Sequence, residues 1–577
     1  MALKPFNHII KELALMLAFV FIMLWGFTSR QDFIHADAYG YYDYLPSIFL
    51  HKDINRVDKP RNTQPLIYSR IDQNYAYNNL GNLRVNKYSC GTAAFLLPFY
   101  LPLQLVRQVL GYVDSGYELP YQVMVLFAAI FWLFIGLVFL RKTLIQLNVE
   151  SNLIFLVQLS ILFATPFTHY AWFDAGFSHV FSFTAVSLFC YFTISFFYQN
   201  KSKFILLMGL LMALIILLRP INFLVVFSIP LLVGNANNLT VLFRNIFRYW
   251  KSLLFALIIF GITLSLQCFL WYLQTGNFIV YSYQNESFYF DNPQLINSWF
   301  SYQKGLFIYT PLLLLFQLLS IWAGVKKNKY FITYYILYFL AISYVFSCWW
   351  SWFYGGSYGQ RVYLDYLPIL ILPVSLMHLK IKWPSKLVLG IIITLSILLN
   401  LTQTWQHQEY ILHWDQMNKE KYWQVFLRTS SPYKGWVWKQ KCGEPSTTVT
   451  QALSIPNFKS AGNIPDTLMA SNAFNFVGIE NGDELRLSLY HNFPHELRTE
   501  IAIFAKDTIT GKTIFWEQKY LLQFCNETPG TYQKGDYWFK PKSLNTIANA
   551  KFYLLAYNLQ KGDSLQNILI QTIAAPK

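Results

Sequence analysis

Three short stretches of this 577-residue chain gather acidic, basic and aromatic side chains at spacings that suit proton transfer and anion binding. The first is His35-Ala-Asp37-Ala-Tyr39-Gly40-Tyr41-Tyr42-Asp43-Tyr44. A carboxylate among aromatic rings is partly desolvated, and desolvation raises its basicity toward what a general base needs. Asp37 is therefore expected to be catalytic, the plainer alternative being a loop residue or helix cap. The second stretch is Trp172-Phe-Asp174-Ala-Gly-Phe-Ser-His179. Asp174 either caps the helix that carries His179, or the two join Asp37 in one site and orient the base or a hydroxyl. The third runs from Ser347 to Asp365 and holds Trp349, Trp350 and Trp352 with Gly355, Gly356 and Gly359. Tryptophan planes stack on the apolar faces of sugar rings, glycines admit close backbone approach, and the planar fork of Arg361 suits a phosphate. The alternative for Arg361 is a pair with Asp365, four residues on, along one helix face.

Isolated cations extend the set. Arg219 is the single charge between 204 and 243 and should face protein or a cavity, because an ionisable group at apolar depth is expensive. Lys87 and Lys304 stand just before apolar segments, at the level where each meets either a bound phosphate or lipid headgroups. The loop 282–304 adds Glu286, Asp291 and several aromatics, which suits a lid. No CxxC or Cys/His spacing points to zinc.

The elements that must carry these residues are membrane helices. The chain is 55% hydrophobic and 19% aromatic but only 13% charged, against about 25% charged in soluble domains. A bilayer crossing takes about 20 mainly apolar residues. Eleven charge-poor segments qualify: 13–29, 121–140, 153–169, 177–199, 204–218, 220–237, 252–273, 306–324, 331–348, 363–379 and 387–404. A basic cluster at Lys4/Lys11 precedes the first crossing, and those at Arg141/Lys142, Lys201/Lys203, Arg244/Arg248/Lys251, Lys326/Lys327/Lys329 and Lys380/Lys382/Lys386 follow every second crossing. Cytoplasmic loops gather Lys and Arg, so the N-terminus reads as cytoplasmic and the three chemical stretches land on the outer face. This topology signal explains much of the net charge of +16 and argues against a nucleic-acid partner. Segment 93–110 is also apolar, but counting it as a span would reverse every later loop. It reads as an outer surface helix interrupted by Pro98 and Pro102.

Residues 1–405 thus form a transmembrane domain with outer loops 30–120, 274–305 and 349–362. A connector follows at 406–429, and then an extracytoplasmic β-rich, sandwich-like domain at 430–577. Leu485-Arg-Leu-Ser-Leu489 and Ile501-Ala-Ile-Phe504 alternate as strands do, and Thr510-Gly511-Lys512 looks like a hairpin turn. Cys442 and Cys525 could pair there in an oxidising compartment.

Taken together, the acidic motif after the first span (His35-Ala-Asp37), a surface segment beginning Lys87-Tyr88, the second acidic turn at Asp174 and the span arrangement resemble the membrane glycosyltransferases of the C-type fold, GT-C. This group includes protein O-mannosyltransferases and bacterial aminoarabinose transferases, and the likeness covers roughly residues 10–405. The resemblance implies a polyprenyl-phosphate-linked sugar as donor, used on the outer face of the cell (inner) membrane with inversion at the anomeric carbon. The acceptor would be a glycan, lipid or protein hydroxyl. It casts Asp37 and Asp174 as catalytic, and Arg361, Lys87, Lys304, Arg219, His179, Tyr88 and Trp350 as substrate or phosphate contacts. The protein O-mannosyltransferase pattern has a second acid after the first, where this chain has Ala38. Metal-dependent relatives hold their ion with carboxylate clusters; no Asp-x-Asp stands at this site, so no metal or other cofactor is expected. The competing classes are a transporter or flippase for lipid-linked glycans, which would carry ionisable groups near the midplane and paired halves, and a non-catalytic envelope assembly protein.

Overall fold

A computed structural model describes residues 6–27, 33–54, 76–80, 83–284, 286–376, 383–415, 417–430 and 433, and nine strand segments between 449 and 573. The chain divides into two compact units, Met1–Gln408 with Leu412–Thr429, and Glu409–Ile411 with Ser430–Lys577.

In the first unit the helices run α1 (Phe6–Gly26), α2 (Asp37–Tyr42) and α3 (Tyr44–Phe49), followed by a hairpin of β1 (Tyr77–Leu80) and β2 (Leu83–Asn86). Next come α4 (Gly91–Val109), α5 (Leu119–Gln146), α6 (Ser151–Phe163), α7 (Phe167–Trp172), α8 (His179–Gln199) and α9 (Lys203–Leu218). A 3₁₀ helix, Pro220–Ser228, leads into α10 (Ile229–Val233), α11 (Ala236–Arg248), α12 (Trp250–Thr275), α13 (Leu295–Phe300), α14 (Leu306–Tyr309), α15 (Pro311–Gly324) and α16 (Lys329–Ser347). A second 3₁₀ helix, Arg361–Tyr366, is followed by α17 (Leu367–Leu370), a third 3₁₀ segment Leu372–Leu376, α18 (Trp383–Gln408) and α19 (Lys419–Val425).

Among the described residues six helices are long and apolar enough to cross a bilayer: α1, α5, α8, α12, α16 and α18. This is a helical, multi-pass membrane protein. The other five expected segments are shorter or broken. Helices α6 and α9 have 13 and 16 residues. Segment 220–237 splits into 3₁₀ helix and α10, then turns by 117° into α11; counted as one span, that bent pair makes seven. Segments 306–324 and 363–379 break into pieces at Pro311, Pro368 and Pro373, because a proline removes a helical N–H and clashes with the preceding turn. Helix α4, by contrast, runs through Pro98 and Pro102 rather than being interrupted by them. Its start is fixed by packing: a Cβ on Gly91 would come within 2.3 Å of the backbone between Leu217 and Leu218.

Several members of the basic ruler stand on helices rather than in loops, among them Lys11 on α1 and Arg141 and Lys142 on α5. Arg141 is buried and its Nε donates to Glu12 Oε1 at 2.7 Å, and Gln158 donates to the same oxygen at 2.8 Å. Three helices, α1, α5 and α6, are joined there. Helix α11 carries Arg244 and Arg248 beside exposed Val241, Phe243 and Phe247, so that cluster sits on an amphipathic helix rather than in a loop.

The second unit holds β3 (Val449–Ile455), β4 (Phe458–Lys459), β5 (Thr467–Ala470), β6 (Glu484–Asn492), β7 (Thr499–Asp507), β8 (Thr513–Leu521), β9 (Gln533–Phe539), β10 (Ala550–Leu559) and β11 (Ser564–Ile573). Two antiparallel sheets have the orders β5-β10-β7-β8 and β3-β11-β6-β9, with β4 on β11. Alternate residues are buried, as at Leu485 and Leu487, Ile503 and Ala505, and Ile568 and Ile570, which is the period-two pattern of half-buried strands. The Thr510–Lys512 turn, Cys442 and Cys525 lie outside the described residues.

Candidate functional site

Asp37 opens α2, and the residue before it is strained. Ala36 has φ 46°, a region that alanine rarely occupies; such strain persists only where the surrounding structure dictates it, and it marks functional positions. One turn on, Gly40 admits Tyr88: a Cβ there would stand 2.2 Å from the Tyr88 ring. The ring therefore lies across α2, and its hydroxyl donates to Asp37 Oδ1 at 2.8 Å. Tyr88 follows β2, whose hairpin with β1 sets its height, and Asn86 Oδ1 accepts its backbone N–H at 2.9 Å.

The other carboxylate oxygen of Asp37 faces the far end of the unit. Arg361 Nη1 lies 2.6 Å from Asp37 Oδ2, and the guanidinium sits 5.3 Å from the Phe177 ring centroid. Both residues border a cavity of about 610 Å³, within the usual size range for small-ligand sites. Lys87, Tyr88, Arg219 and Trp350 line it too, so six of the nine residues singled out from sequence share one chamber. Lys87 is ion-paired with Glu286 from the loop after α12. Trp350 is 48% exposed, and its backbone N–H donates to Ser287 O at 3.0 Å, tying the tryptophan turn to that loop. Tyr354 and Gly355, both with positive φ (57° and 66°), fold the turn back over the chamber, and Arg219 stands 5.6 Å from the Tyr354 ring centroid.

Burial disfavours the ionised form of Asp37, but the Arg361 guanidinium, the Tyr88 hydroxyl and Lys87 outweigh it and hold the carboxyl below its usual range. Desolvation alone was expected to make Asp37 more basic; its partners reverse that direction.

The three remaining residues are buried and do not line the cavity. Asp174 is buried and accepts contacts from two histidines, His35 at 3.0 Å and His169 at 2.9 Å. Burial opposes its ionisation, yet His169 and His35 hold its carboxyl well below the ordinary range. It does not cap α8, whose N-cap is Ser178. His179 Nδ1 lies 2.7 Å from Asp365 Oδ1. Lys304 is buried and donates to Ser357 through both its carbonyl and its hydroxyl oxygen, and burial depresses its ammonium well below the usual lysine range.

Arg361 and Asp365 do not pair. Residues 361–366 form a 3₁₀ helix, with three residues per turn, so residue i+4 points a third of a turn away from residue i. Asp365 turns inward to His179, to Asn222 at 2.9 Å and to Arg219 at 3.5 Å. It is fully buried and anchors Arg219 from behind.

Sequence reasoning missed His169, Trp414, Asp415 and Gln303. Trp414 and Asp415 line the cavity from the segment after α18. A Trp-Asp pair soon after the last apolar segment, in a chain already rich in tryptophans between such segments, was the available signal. Among the described residues no group of three or more His, Cys, Asp and Glu side chains could hold a metal ion. With donors of this kind, the chamber can bind a phosphate between Arg361, Arg219 and Lys87 and offer Asp37 as a proton acceptor. A scan against protein-family models found no matching family, and a search of curated proteins found no match.

Proposed function

We propose that this protein is an inverting glycosyltransferase that moves a sugar from a polyprenyl-phosphate donor to an acceptor hydroxyl on the extracytoplasmic face of the cell membrane. In this reading the chain crosses the membrane eleven times from a cytoplasmic N-terminus, the short and broken helices completing the bundle, and the strands after 449 form an extracytoplasmic β-rich domain. The observation that carries the reading is the Asp37–Arg361 pair on the wall of a chamber that also presents Lys87, Arg219 and Trp350.

The chemistry follows from competition for Arg361. A donor phosphate takes the guanidinium fork, since charge-assisted bidentate contacts to phosphate are strong. Asp37 then loses the cation that holds its proton affinity down and becomes the base. It accepts the proton of the acceptor hydroxyl, whose oxygen bonds to the anomeric carbon as the carbon–oxygen bond to phosphate breaks. Polyprenyl phosphate departs with that electron pair, its charge met by Arg361, Arg219 and Lys87. Asp365 keeps Arg219 aimed at the chamber, and Asp174 with its two histidines braces the wall.

Incubating the purified protein with a panel of polyprenyl-phosphate sugars and candidate acceptors, and measuring free polyprenyl phosphate, tests this. Release that depends on Asp37 and on added acceptor supports transfer. Movement of lipid-linked sugar across a vesicle without release would replace the reading with transport.

A further inference from the structure

Three acids line the chamber: Asp37, Glu286 and Asp415. Two are committed to cations, Asp37 to Arg361 and Glu286 to Lys87. Asp415 has no described cation within ion-pair distance. Its partner is a neutral amide: Gln303 Nε2 donates to the Asp415 backbone oxygen at 2.8 Å and to Oδ1 at 3.3 Å. Oδ2 receives no hydrogen bond among the described residues.

The wall around it is built rather than loose. Ser357 N–H donates to Trp414 O at 3.4 Å, and the Trp414 ring lies so near Gly356 that a Cβ there would approach it to 3.0 Å. His413 Nδ1 accepts the Asp415 N–H at 2.8 Å. Burial raises the Asp415 carboxyl above its ordinary range, with only the Lys304 charge and the Gln303 bond pulling the other way. The groups facing this corner are thus the buried Lys304, with Arg361, Arg219 and Lys87 across the chamber lining.

A carboxyl that keeps an oxygen open, in a chamber that Trp350 and Trp414 also line and whose cations are otherwise matched, suits hydroxyl groups. It accepts their hydrogen bonds while the half-exposed Trp350 indole covers the C–H face of a ring and Trp414, stacked on His413, forms the wall beside it. A cationic ligand would meet Arg219, Arg361 and Lys87 in the same space. We propose that Asp415, Trp414 and Trp350 form the subsite that holds the neutral, hydroxyl-rich ring of the transferred sugar and so set donor specificity. This rests on the transferase reading above and adds to it the class of sugar and the residues that choose it.

The test is binding of defined lipids to the purified full chain in nanodiscs: bare polyprenyl phosphate, and the same lipid carrying each of a panel of neutral pentoses and hexoses. At least one sugar-bearing lipid should bind wild-type protein about tenfold or more tightly than the bare lipid, as expected for hydrogen bonds to a carboxylate. Asp415→Asn, which retains the acceptor for Gln303, and Trp350→Leu, at a half-exposed position, should each erase that difference and leave bare-lipid affinity unchanged. Equal binding of bare and sugar-bearing lipid by the wild type overturns the subsite while the phosphate site stands. An Asp415→Asn protein that loses affinity for both alike also overturns it, because its role is then structural. Failure of bare polyprenyl phosphate to bind overturns the transferase reading and the subsite with it.

Discussion

Asp37 Oδ2 and Arg361 Nη1 meet at 2.6 Å across the chamber wall, joining the first turn of α2 to the 3₁₀ helix that begins at Arg361. Each neutralises the other. Removing the negative member separates folding from chemistry. Asp37→Asn keeps an acceptor for the Tyr88 hydroxyl and leaves Arg361 open to the chamber. The purified variant should elute as the wild type does and bind polyprenyl-phosphate lipid at least as tightly, while release of polyprenyl phosphate falls by about 10²–10⁴-fold, the usual worth of a positioned base. Near-normal turnover would remove Asp37 from its role.

Arg361→Gln should cost about 2.7–4 kcal/mol of barrier, by analogy with the loss of one oxyanion donor. The loss should show in kcat, since the charge on the leaving phosphate grows as the bond breaks. A change confined to KM would mean that Arg361 only holds the ground state.

Asp365 is fully buried and serves His179, Asn222 and Arg219 together. Asp365→Asn leaves Arg219 without its counter-ion, and breaking a buried pair from one side costs about 3–5 kcal/mol. Thermal unfolding in detergent should place this variant well below Asp37→Asn, because Asp365 is fully enclosed and serves three partners whereas Asp37 borders the chamber. The opposite order would contradict the division into an exchangeable pair and a fixed one.

The carboxyl shifts fix a pH dependence. Asp37 and Asp174 are both depressed, so each adds stability that is fully present above the ordinary aspartate value of about 3.9 and is lost as pH falls through its lower folded value. Asp415 is raised, so it imposes a penalty that is absent below the ordinary value and complete above its folded one. Asp415→Asn should therefore unfold no lower than wild type at neutral pH, with its advantage vanishing on acidification. Asp174→Asn should lose stability at neutral pH and converge on wild type in acid. Unfolding midpoints across that range check both.

Sidedness has its own check. Reporter fusions in the 349–362 connection should read as extracytoplasmic, and fusions after Lys327 as cytoplasmic. A cytosolic signal from 349–362 sinks the transferase proposal, because the tryptophan turn and Arg361 would face the wrong compartment.

Most of the helical scaffold was legible in the sequence because long apolar runs must satisfy their own backbone groups in lipid, so α8, α12 and α16 begin and end within two residues of expectation, while α5 runs six residues past its expected end. The broken segments were less so: Pro311 and Pro368 were visible, but a hydropathy window averages over them. Residue type also pointed to Asp37, Arg361 and Lys87, since charges beside apolar spans are costly. Partner choice was not legible. The Arg361–Asp365 spacing assumed 3.6 residues per turn, and a tighter helix moved Asp365 onto His179. Asp415 escaped notice because its place in the chamber depends on Gln303 and Gly356, far away in sequence.

The lining of the chamber is balanced, three basic side chains (Lys87, Arg219, Arg361) against three acidic ones (Asp37, Glu286, Asp415). Such a cavity exerts little long-range pull on an anion, so Coulombic steering from solution contributes little to the encounter rate. Under the proposed function, discrimination is deferred to contact, where a headgroup must prise Arg361 from Asp37 to settle in and free phosphates drifting past gain little. Arrival rates should accordingly be almost indifferent to ionic strength, which under the proposed function suits a lipid donor entering sideways from the bilayer rather than from the surrounding water.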